Sequence, residues 1–355
     1  MTRRLLVTGG AGFIGANFAH YWAAAHPEDH VVVYDALTYA GNLANLDALR
    51  ERPNFHFVHA NITDVECVKA TMREHRIDAI VHFAAESHVD RSISGPDAFI
   101  ETNVVGTHCM LKAARAVWLD GSEVLPHRFH HVSTDEVYGS LAPDDPGFHE
   151  QQKYEPNSPY SASKAASDHL VRAYLHTYNL QVTTSNCSNN YGPFHFPEKL
   201  IPLCITNILR GLPLPVYGDG SNIRDWLYVE DHCRGIDLVL QAGEVGEIYN
   251  IGGNNEWGNL AIVKLLCEQM DARFVSDPVL AQRFPNAPGA SGAQSEELIQ
   301  FVTDRAGHDW RYAIDASKIT RELGYAPRES FETGLGRTLD WFLEREDWWR
   351  PLLVS

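Results

Sequence analysis

Short apolar runs alternate with longer segments of helical periodicity along the first half of the chain. The runs read as buried strands, and they occur at residues 3–8, 30–34, 54–59, 79–83, 128–132, 181–186 and 247–252. Segments of helical length follow most of them, including 99–118 and 160–178. Regular alternation of this kind predicts an α/β fold with a doubly wound parallel (Rossmann) sheet and right-handed crossovers.

The pattern becomes less regular after residue 188. We therefore expect a Rossmann domain at 1–188, with a return segment near 224–252, and a smaller C-terminal lobe at 189–355. Residues 224–231 read as a strand that returns to the main sheet. Residues 277–295 are rich in Pro, Ala, Gly and Ser, which is typical of a surface loop, and 331–349 read as one helix.

A glycine-rich turn lies between the first predicted strand and its helix. Gly9, Gly12 and Gly15 let the backbone approach a pyrophosphate, and the helix N-terminus offers free N–H groups and a positive dipole end. Asp35 ends the second predicted strand, at the spacing expected for a carboxylate that binds a ribose 2′-hydroxyl. Because a carboxylate would repel a 2′-phosphate, the sequence favours NAD over NADP. The small Ala84 allows close approach to the same cofactor.

Two side chains with complementary chemistry share one face of the helix that begins near residue 159. Tyr160 and Lys164 are four residues apart, so they are neighbours on an α-helix. An ammonium group beside a phenol is expected to lower the phenol's pKa. The pair therefore predicts that Tyr160 acts as a general base toward a substrate hydroxyl.

A hydroxyl and two adjacent carboxyls follow the strand at 128–132, at the sheet edge where ligands bind. Thr134 can hydrogen-bond the hydroxyl that Tyr160 deprotonates. Asp135 and Glu136 add an acid and a base with separable pKa values, which is what elimination of water next to a ketone needs. The residues alone do not say which of the two carboxyls is the acid.

Composition and charge limit the partners, metal sites and cellular locations that this chain can have. The chain has 355 residues with 29 Lys and Arg against 46 Asp and Glu, a formal net charge of −17. This charge argues against nucleic acid or an anionic membrane as a partner. The six cysteines are scattered singly, which predicts free thiols and no metal site. The N-terminus leads directly into a strand, so we expect no signal peptide, no membrane span and a cytoplasmic location.

Seven motifs in order along nearly the whole chain resemble one family, the dTDP-glucose 4,6-dehydratases of the extended short-chain dehydrogenase/reductases. The motifs are TGGAGFIG (8–15), AAESHVDRS (84–92), STDEVYG (133–139), YSASK (160–164), NNYGP (189–193), RDWLYVEDH (224–232) and DRAGHD (304–309). The resemblance implies bound NAD, dTDP-glucose as substrate and a homodimer formed by the helices near 100–118 and 160–178. It also implies that the C-terminal lobe binds the nucleotide sugar.

The resemblance assigns roles to individual residues. Tyr160, tuned by Lys164, would take the C4 hydroxyl proton, Glu136 the C5 proton, and Asp135 would protonate the leaving C6 hydroxyl. Cofactor contacts are implied at Gly9, Gly12, Phe13, Ile14, Gly15, Asp35, Asn61, Ile62, Phe83, Ala84, Ala85, Ser87, Thr102, Tyr160, Lys164 and Asn190. Substrate contacts are implied at Ser87, Thr134, Asn189, Lys199, Leu200, Pro215, Tyr217, Arg224, Asn259, Arg305 and His308. Of these, Arg224 and Arg305 suit a diphosphate.

Two departures from the family pattern and three rival functions stay open at this point. Asn61 stands where many members have Asp, and residues 277–295 are longer and richer in Pro and Ala than usual, which bears on the nucleotide end of the site. A 4-epimerase would share the glycine turn and the Tyr160–Lys164 pair without needing two carboxyls. A dehydratase of a UDP-, CDP- or GDP-sugar is the second rival, and a non-catalytic NAD-binding protein is the third.

Overall fold

The computed structural model describes residues 2–304 and 307–353. Seven strands form a central sheet in the order β10-β6-β5-β4-β1-β2-β3, and every neighbouring pair is parallel. These strands are β1 (Arg4–Thr8), β2 (His30–Asp35), β3 (Phe55–His59), β4 (Ala79–His82), β5 (Arg128–Thr134), β6 (Val182–Cys187) and β10 (Ile248–Ile251). The predicted Rossmann sheet is confirmed.

Helices cover both faces of this sheet and build most of the C-terminal lobe. The α-helices are α1 (Phe13–Ala25), α2 (Val65–Glu74), α3 (Val89–Ser94), α4 (Asp97–Phe99), α5 (Thr107–Trp118), α6 (Pro159–Tyr178), α7 (Leu200–Arg210), α8 (Val229–Ala242), α9 (Asn259–Ser276), α10 (Val279–Arg283), α11 (Ser317–Leu323), α12 (Phe331–Glu344) and α13 (Glu346–Trp349). A π-helix spans Ile100–Gly106, and 3₁₀ turns span Leu43–Leu49, Asp135–Tyr138, Pro288–Ser291, Ser295–Leu298 and Pro351–Leu353.

The apolar runs form strands because both faces of the sheet are buried. On β1, Leu5 and Val7 pack into a core with α1 and α8, while Leu6 between them packs into a second core with α2, α5 and α6. Successive side chains of a strand point to opposite faces, so a strand covered on both sides must be apolar throughout. The two cores fix the sheet, and the sheet fixes where its strand ends meet.

One predicted strand belongs to a different sheet. Residues 223–228 form β9 (Ile223–Tyr228), which pairs with β7 (Asn189–Tyr191) and β11 (Glu256–Gly258) in a separate three-stranded sheet. The expectation that this strand returns to the main sheet is therefore wrong, and only β10 of the return segment joins it. A further pair, β8 (Leu214–Tyr217) with β12 (Ile299–Val302), belongs to the C-terminal lobe.

Three other segments differ from the sequence-based expectation. The helix expected from residue 99 begins as the π-helix and becomes α5 only at Thr107. The predicted surface loop at 277–295 contains α10, and Leu280 and Phe284 are buried in the core of the C-terminal lobe. The tail helix is broken between α12 and α13. In the part of the chain that the structure describes, no helix is long and apolar enough to cross a bilayer.

The turn from β1 to α1 needs glycine for steric reasons. Gly9 has a φ of +67°, and a Cβ there would lie 2.7 Å from the backbone of Ala84. A Cβ on Gly15 would lie 2.3 Å from the carbonyl oxygen of Gly9. At Gly12 the distance from a Cβ to the same oxygen would be 3.3 Å, a tight but tolerable contact.

We predict that Gly15→Ala lowers the free energy of unfolding by about 1–3 kcal/mol, because a backbone oxygen cannot move aside without distorting the turn. Gly12→Ala is the matched control in the same turn, and it should cost less than about 1 kcal/mol. Urea unfolding of the three proteins measures both changes. Equal stability of Gly15→Ala and the unsubstituted protein would refute the steric account of this turn.

Candidate active site

The carboxyl ends of the central strands open into a cavity of about 490 Å³ between the sheet and the C-terminal lobe. Every predicted site residue in the described part of the chain lines it. These are Gly9, Gly12, Phe13, Ile14, Gly15, Asp35, Asn61, Ile62, Phe83, Ala84, Ala85, Ser87, Thr102, Thr134, Asp135, Glu136, Tyr160, Lys164, Asn189, Asn190, Lys199, Leu200, Pro215, Tyr217, Arg224, Asn259 and His308. Arg305 lies outside the described residues.

The end of the cavity beside β1 and β2 fits a dinucleotide. The Asp35 carboxylate accepts hydrogen bonds from the backbone N–H groups of Ala11 (2.9 Å) and Leu37 (2.7 Å), so it is held against the glycine-rich turn. Burial raises the pKa of Asp35, and these two hydrogen bonds oppose that change. Glycines that admit no Cβ, a helix N-terminus and a carboxylate at the ribose position together suit NAD.

Asn61 is anchored locally. Its Oδ1 accepts hydrogen bonds from the backbone N–H and the hydroxyl of Thr63, each at 3.0 Å, and Tyr34 donates to its backbone carbonyl. The side chain thus stabilises the turn that follows β3. From this position it lines the cavity, as its predicted role as a cofactor contact requires.

The turn after β5 places the two carboxyls in different environments. The Thr134 hydroxyl accepts a hydrogen bond from the backbone N–H of Glu136 (3.2 Å) and donates to Asp135 Oδ1 (3.3 Å). Asp135 is 1% exposed, and its Oδ2 has no hydrogen-bond partner among the described residues, while Glu136 is half-buried. At Gly139 a φ of +99° and the nearby carbonyl of Glu155 require glycine where the turn ends.

Burial decides the protonation of Asp135. It raises the pKa of this carboxyl well above the ordinary value, the negative charges of Glu136 and Asp225 raise it further, and the Arg224 guanidinium lowers it. The pair is therefore asymmetric, because the fully buried acid holds its proton more tightly.

Tyr160 stands at the start of α6, where Ser158 and Ser161 form a capping box and Pro159 occupies the first turn. Lys164 donates to the backbone carbonyl of Val132 on β5 at 2.9 Å. Burial raises the pKa of Tyr160 well above its ordinary value, the charge of Glu136 raises it further, and hydrogen bonding with Thr134 lowers it. The expectation of a lowered phenol pKa beside Lys164 is therefore wrong for the protein alone, because burial has the largest effect.

The C-terminal lobe contributes side chains to the opposite wall. Lys199 donates to the carbonyl of Ser87 (3.1 Å), and Tyr217 donates to Asp90 (3.4 Å), so both bridge the lobe to the segment after β4. His308 is hydrogen-bonded to Asp304 at 2.6 Å, and its ring meets that of Tyr217 edge-on at 6.2 Å. The contacts of Lys199 and Tyr217 join the C-terminal lobe to the segment after β4 at this end of the cavity.

Arg224 is buried more deeply than a simple phosphate partner would be. Its guanidinium donates to the carbonyls of Ile223 (2.7 Å) and Asp309 (2.9 Å) and lies 4.2 Å above the ring of Tyr312. From there it acts on the carboxyl of Asp135. The guanidinium therefore connects the C-terminal lobe with the carboxyl pair.

Sequence reasoning missed several residues that line the cavity beside the predicted groups, and three of them bear on its chemistry. Burial raises the pKa of Tyr312, and the charge of Glu136 raises it further. Cys187 ends β6 beside Asp135, and Glu198 forms an ion pair with Arg91 at 2.9 Å. Cys187 ends a strand two residues before the motif that begins at Asn189, so its position could have been inferred. Tyr312 lies in none of the sequence motifs, so its place in the cavity could not have been inferred from the sequence.

Comparisons with known proteins agree with the site. A family model described as GDP-mannose 4,6 dehydratase matches residues 6–338. A dTDP-glucose 4,6-dehydratase of Escherichia coli is 51% identical over 360 residues, covering 99% of this chain and 96% of that protein. One from Neisseria meningitidis is 52% identical over 353 residues, with the same coverage of 99% and 96%.

This chain belongs to the dTDP-glucose 4,6-dehydratase family. DesIV, the dTDP-glucose 4,6-dehydratase of Streptomyces venezuelae, was solved with NAD bound. It superposes with a TM-score of 0.85 at 49% identity, covering 98% of this chain and 99% of that one. The UDP-glucose 4-epimerase of Thermus thermophilus, in complex with NAD, gives a TM-score of 0.79 at 26% identity, with coverage of 96% and 99%. The fold is thus shared with epimerases, while the higher identity is to a dehydratase.

The protonation of Asp135 predicts a pH dependence of stability. Because its pKa is higher in the folded chain, the folded protein binds this proton more tightly, and stability falls as pH rises from the unfolded pKa toward the folded one. Asp135→Asn removes this loss. We expect the substitution to stabilise the protein more at about pH 8 than at about pH 4. The difference should be about 1.4 kcal/mol for each pH unit that separates the folded from the unfolded pKa within this range.

Urea unfolding at the two pH values measures this difference. Asp237→Asn is the control, because this carboxylate is hydrogen-bonded to Tyr21 on the far side of the Rossmann domain. A stability gain for Asp135→Asn that does not depend on pH would contradict the assignment.

Proposed function

We propose that this protein catalyses the dehydration of dTDP-glucose to dTDP-4-keto-6-deoxyglucose with NAD as a bound cofactor. The observation that carries the proposal is the pairing of a fully buried carboxyl with a half-buried one, next to Tyr160, at the edge of an NAD-type sheet. Simple oxidation of an alcohol would need Tyr160 alone. Elimination of water needs the acid and the base as well.

When bound, NAD would accept the hydride from C4 and, after water has left, return it to C6 while C5 regains a proton, so that NAD is regenerated in each turnover. The Gly9–Gly15 turn and Asp35 are proposed to hold it, together with the other predicted cofactor residues, which all line the cavity. NAD rather than NADP follows from the Asp35 carboxylate, which is fixed at the end of β2 by two backbone hydrogen bonds. Relatives of known structure, such as DesIV, contain NAD.

The chain's own groups divide the proton transfers. Tyr160 takes the proton of the C4 hydroxyl, with Thr134 hydrogen-bonded to it. Glu136, the more accessible carboxylate, removes the C5 proton that the neighbouring ketone acidifies. Asp135, which keeps its proton because it is buried, delivers it to the departing C6 hydroxyl as water leaves. Burial thus gives a physical reason for the order of roles that the residues alone left open.

The raised pKa of Tyr160 makes its deprotonation the step that needs support. Lys164 stands one helical turn away with its Nζ on the carbonyl of Val132. The ammonium of Lys164 is the group of this chain that would favour the phenolate, and a positively charged nicotinamide held in the cavity would act in the same direction.

The nucleotide is proposed to be thymidine diphosphate. The relatives from Escherichia coli and Neisseria meningitidis, which are 51% and 52% identical, are dTDP-glucose 4,6-dehydratases. The matching family model is described as GDP-mannose 4,6 dehydratase. Among the predicted substrate residues, Lys199, Tyr217 and His308 line the part of the cavity that the diphosphate and sugar would occupy. A 4-epimerase is disfavoured because it has no use for the buried Asp135.

The protein is also proposed to form a homodimer and to be located in the cytoplasm. A patch of exposed apolar side chains on the segment from α3 to the π-helix, formed by Ile93 (44% exposed), Ile100 (50%) and Val105 (38%), supports a homodimer built on this face. All six cysteines are free thiols, which supports a reducing, cytoplasmic location.

An activity assay tests the reaction and the nucleotide together. The purified protein is incubated with dTDP-glucose, and in parallel with UDP-, CDP- and GDP-sugars, and the 4-keto-6-deoxy product is detected by its absorbance in alkali. We expect product with dTDP-glucose and much less with the others. Absence of a keto product with every sugar would exclude the dehydratase function.

The division of roles predicts opposite behaviour of two matched variants. Glu136→Gln should retain C4 oxidation but lose exchange of the C5 hydrogen with solvent deuterium, with the overall rate reduced about 100-fold or more. Asp135→Asn should keep that exchange and lose elimination. Mass spectrometry of the sugar after incubation in D₂O measures both the exchange at C5 and the loss of water. Undiminished exchange in Glu136→Gln would mean that another group is the base.

The dimer face predicts a mass change. Ile100→Glu places a charge in the exposed apolar patch and should shift the protein from dimer to monomer, measured by light scattering after size-exclusion chromatography. Val275→Glu is the control, because Val275 is 86% exposed and lies on α9, outside the patch. If the unsubstituted protein is already a monomer, or if both variants behave alike, this face is not the interface.

A further inference from the structure

A buried acid that the proposed reaction does not use lies one helical turn beyond Lys164. Tyr160, Lys164 and Asp168 follow one another at intervals of four residues on α6, so they line one face of the helix. All three are buried, with exposed fractions of 8%, 4% and 6%. An ionised carboxylate at such depth is costly unless other groups compensate its charge.

Asp168 is bonded to the strand that carries the catalytic turn. Its Oδ1 accepts from His131 Nε2 at 2.9 Å, and its Oδ2 accepts from the Ser133 hydroxyl at 2.9 Å. Both partners are on β5, within the three residues that precede Thr134. Between them, Val132 accepts the Lys164 hydrogen bond through its carbonyl. One carboxylate therefore holds α6 against the last three residues before the catalytic turn.

Asp168 provides the main negative charge that favours the protonated form of Lys164. Four groups from different elements act on or respond to the Lys164 ammonium: His82 on β4, His131 on β5, Cys187 on β6 and Asp168 on α6. Burial lowers the pKa of both histidines well below its usual value, so they are neutral, and burial raises the pKa of the Cys187 thiol. Burial also lowers the pKa of Lys164, and Asp168 is the largest influence that opposes this.

We propose that Asp168 is a positioning residue of the active site, which keeps Lys164 charged beside Tyr160 and fixes the end of β5 against α6. The inference rests on the proposed function only for its kinetic consequence. Without the Asp168 charge, Lys164 would lose its proton at lower pH, and the electrostatic support for deprotonating Tyr160 would be lost with it. In Asp168→Asn one of the two hydrogen bonds from His131 and Ser133 would also lose its acceptor, because an amide keeps only one of the two carboxylate oxygens.

The groups around Asp168 also determine the pKa of its carboxyl. The ionisable groups that face it are Lys164 and His169 on α6, His131 on β5, Tyr154 in the segment before α6 and Tyr138 in the 3₁₀ turn. Burial raises the pKa of Asp168 to about 6, against the lowering effect of Lys164 and of hydrogen bonds from Ser133 and Tyr154. The carboxylate is thus charged at neutral pH and becomes neutral in mild acid.

The test follows Lys164 itself and not activity alone. In protein labelled with ¹³C-lysine, the Lys164 side-chain signal, assigned with Lys164→Arg, is titrated by NMR in the unsubstituted protein and in Asp168→Asn. We expect the Lys164 midpoint to fall by about 1 pH unit or more in Asp168→Asn. The alkaline limb of the pH profile of dTDP-glucose dehydration should move down by the same amount.

Two controls separate charge from structure. Ser133→Ala removes a hydrogen bond to the same carboxylate without removing its charge, and Asp168→Glu keeps the charge; both should leave the Lys164 midpoint within a few tenths of a pH unit of the unsubstituted value. In the unsubstituted protein, the Lys164 signal should also show a step near pH 6 as Asp168 titrates, which requires no variant to fold.

The outcomes distinguish the two claims. An unchanged Lys164 midpoint in folded Asp168→Asn, or a Lys164 signal in the unsubstituted protein that shows no step anywhere in mild acid, would overturn the role of Asp168. A protein that shows the expected changes in the Lys164 titration but forms no keto product would leave this role standing and refute the dehydratase function instead.

Discussion

The active site depends on one electrostatic constraint: burial of Asp135 next to Glu136 makes it costly for both carboxyl groups to ionise. Asp135 is buried and Glu136 is half-buried, and a negative charge on either carboxyl raises the free energy of ionising the other. The protein uses this cost to hold a proton on one carboxyl while the other can accept one. An elimination reaction needs both states at neutral pH, and the geometry of a single turn provides them.

The rest of the fold serves to hold that turn in place. The central sheet is covered on both faces, so the chain can leave the core only at strand ends, and β5 ends directly at Thr134. Helix α6 anchors that strand through Lys164 and Asp168, while β9 delivers Arg224 from the C-terminal lobe to the same carboxyl pair. The glycine turn after β1 completes the floor of the cavity. Stability and chemistry are therefore coupled through the same few elements.

Much of this could be predicted from the sequence because it is local. Strand boundaries followed the apolar runs to within one or two residues, and the site residues were marked by motifs at strand ends. The prediction that β9 joins the main sheet was wrong, because the sequence of a short strand does not determine which sheet it pairs with. The 277–295 segment was misjudged by composition, although the spacing of Leu280 and Phe284 indicated a buried helix. The pKa of Tyr160 could not be inferred from its neighbour Lys164, because burial is a tertiary property.

The protonation of Asp135 is the most direct test of the central claim. Infrared difference spectroscopy between the protein and Asp135→Asn at neutral pH should reveal the C=O stretching band of a protonated carboxyl, lost in the variant. The same comparison with Glu136→Gln should show only the loss of carboxylate bands. A spectrum in which Asp135 contributes carboxylate bands at neutral pH would contradict the account.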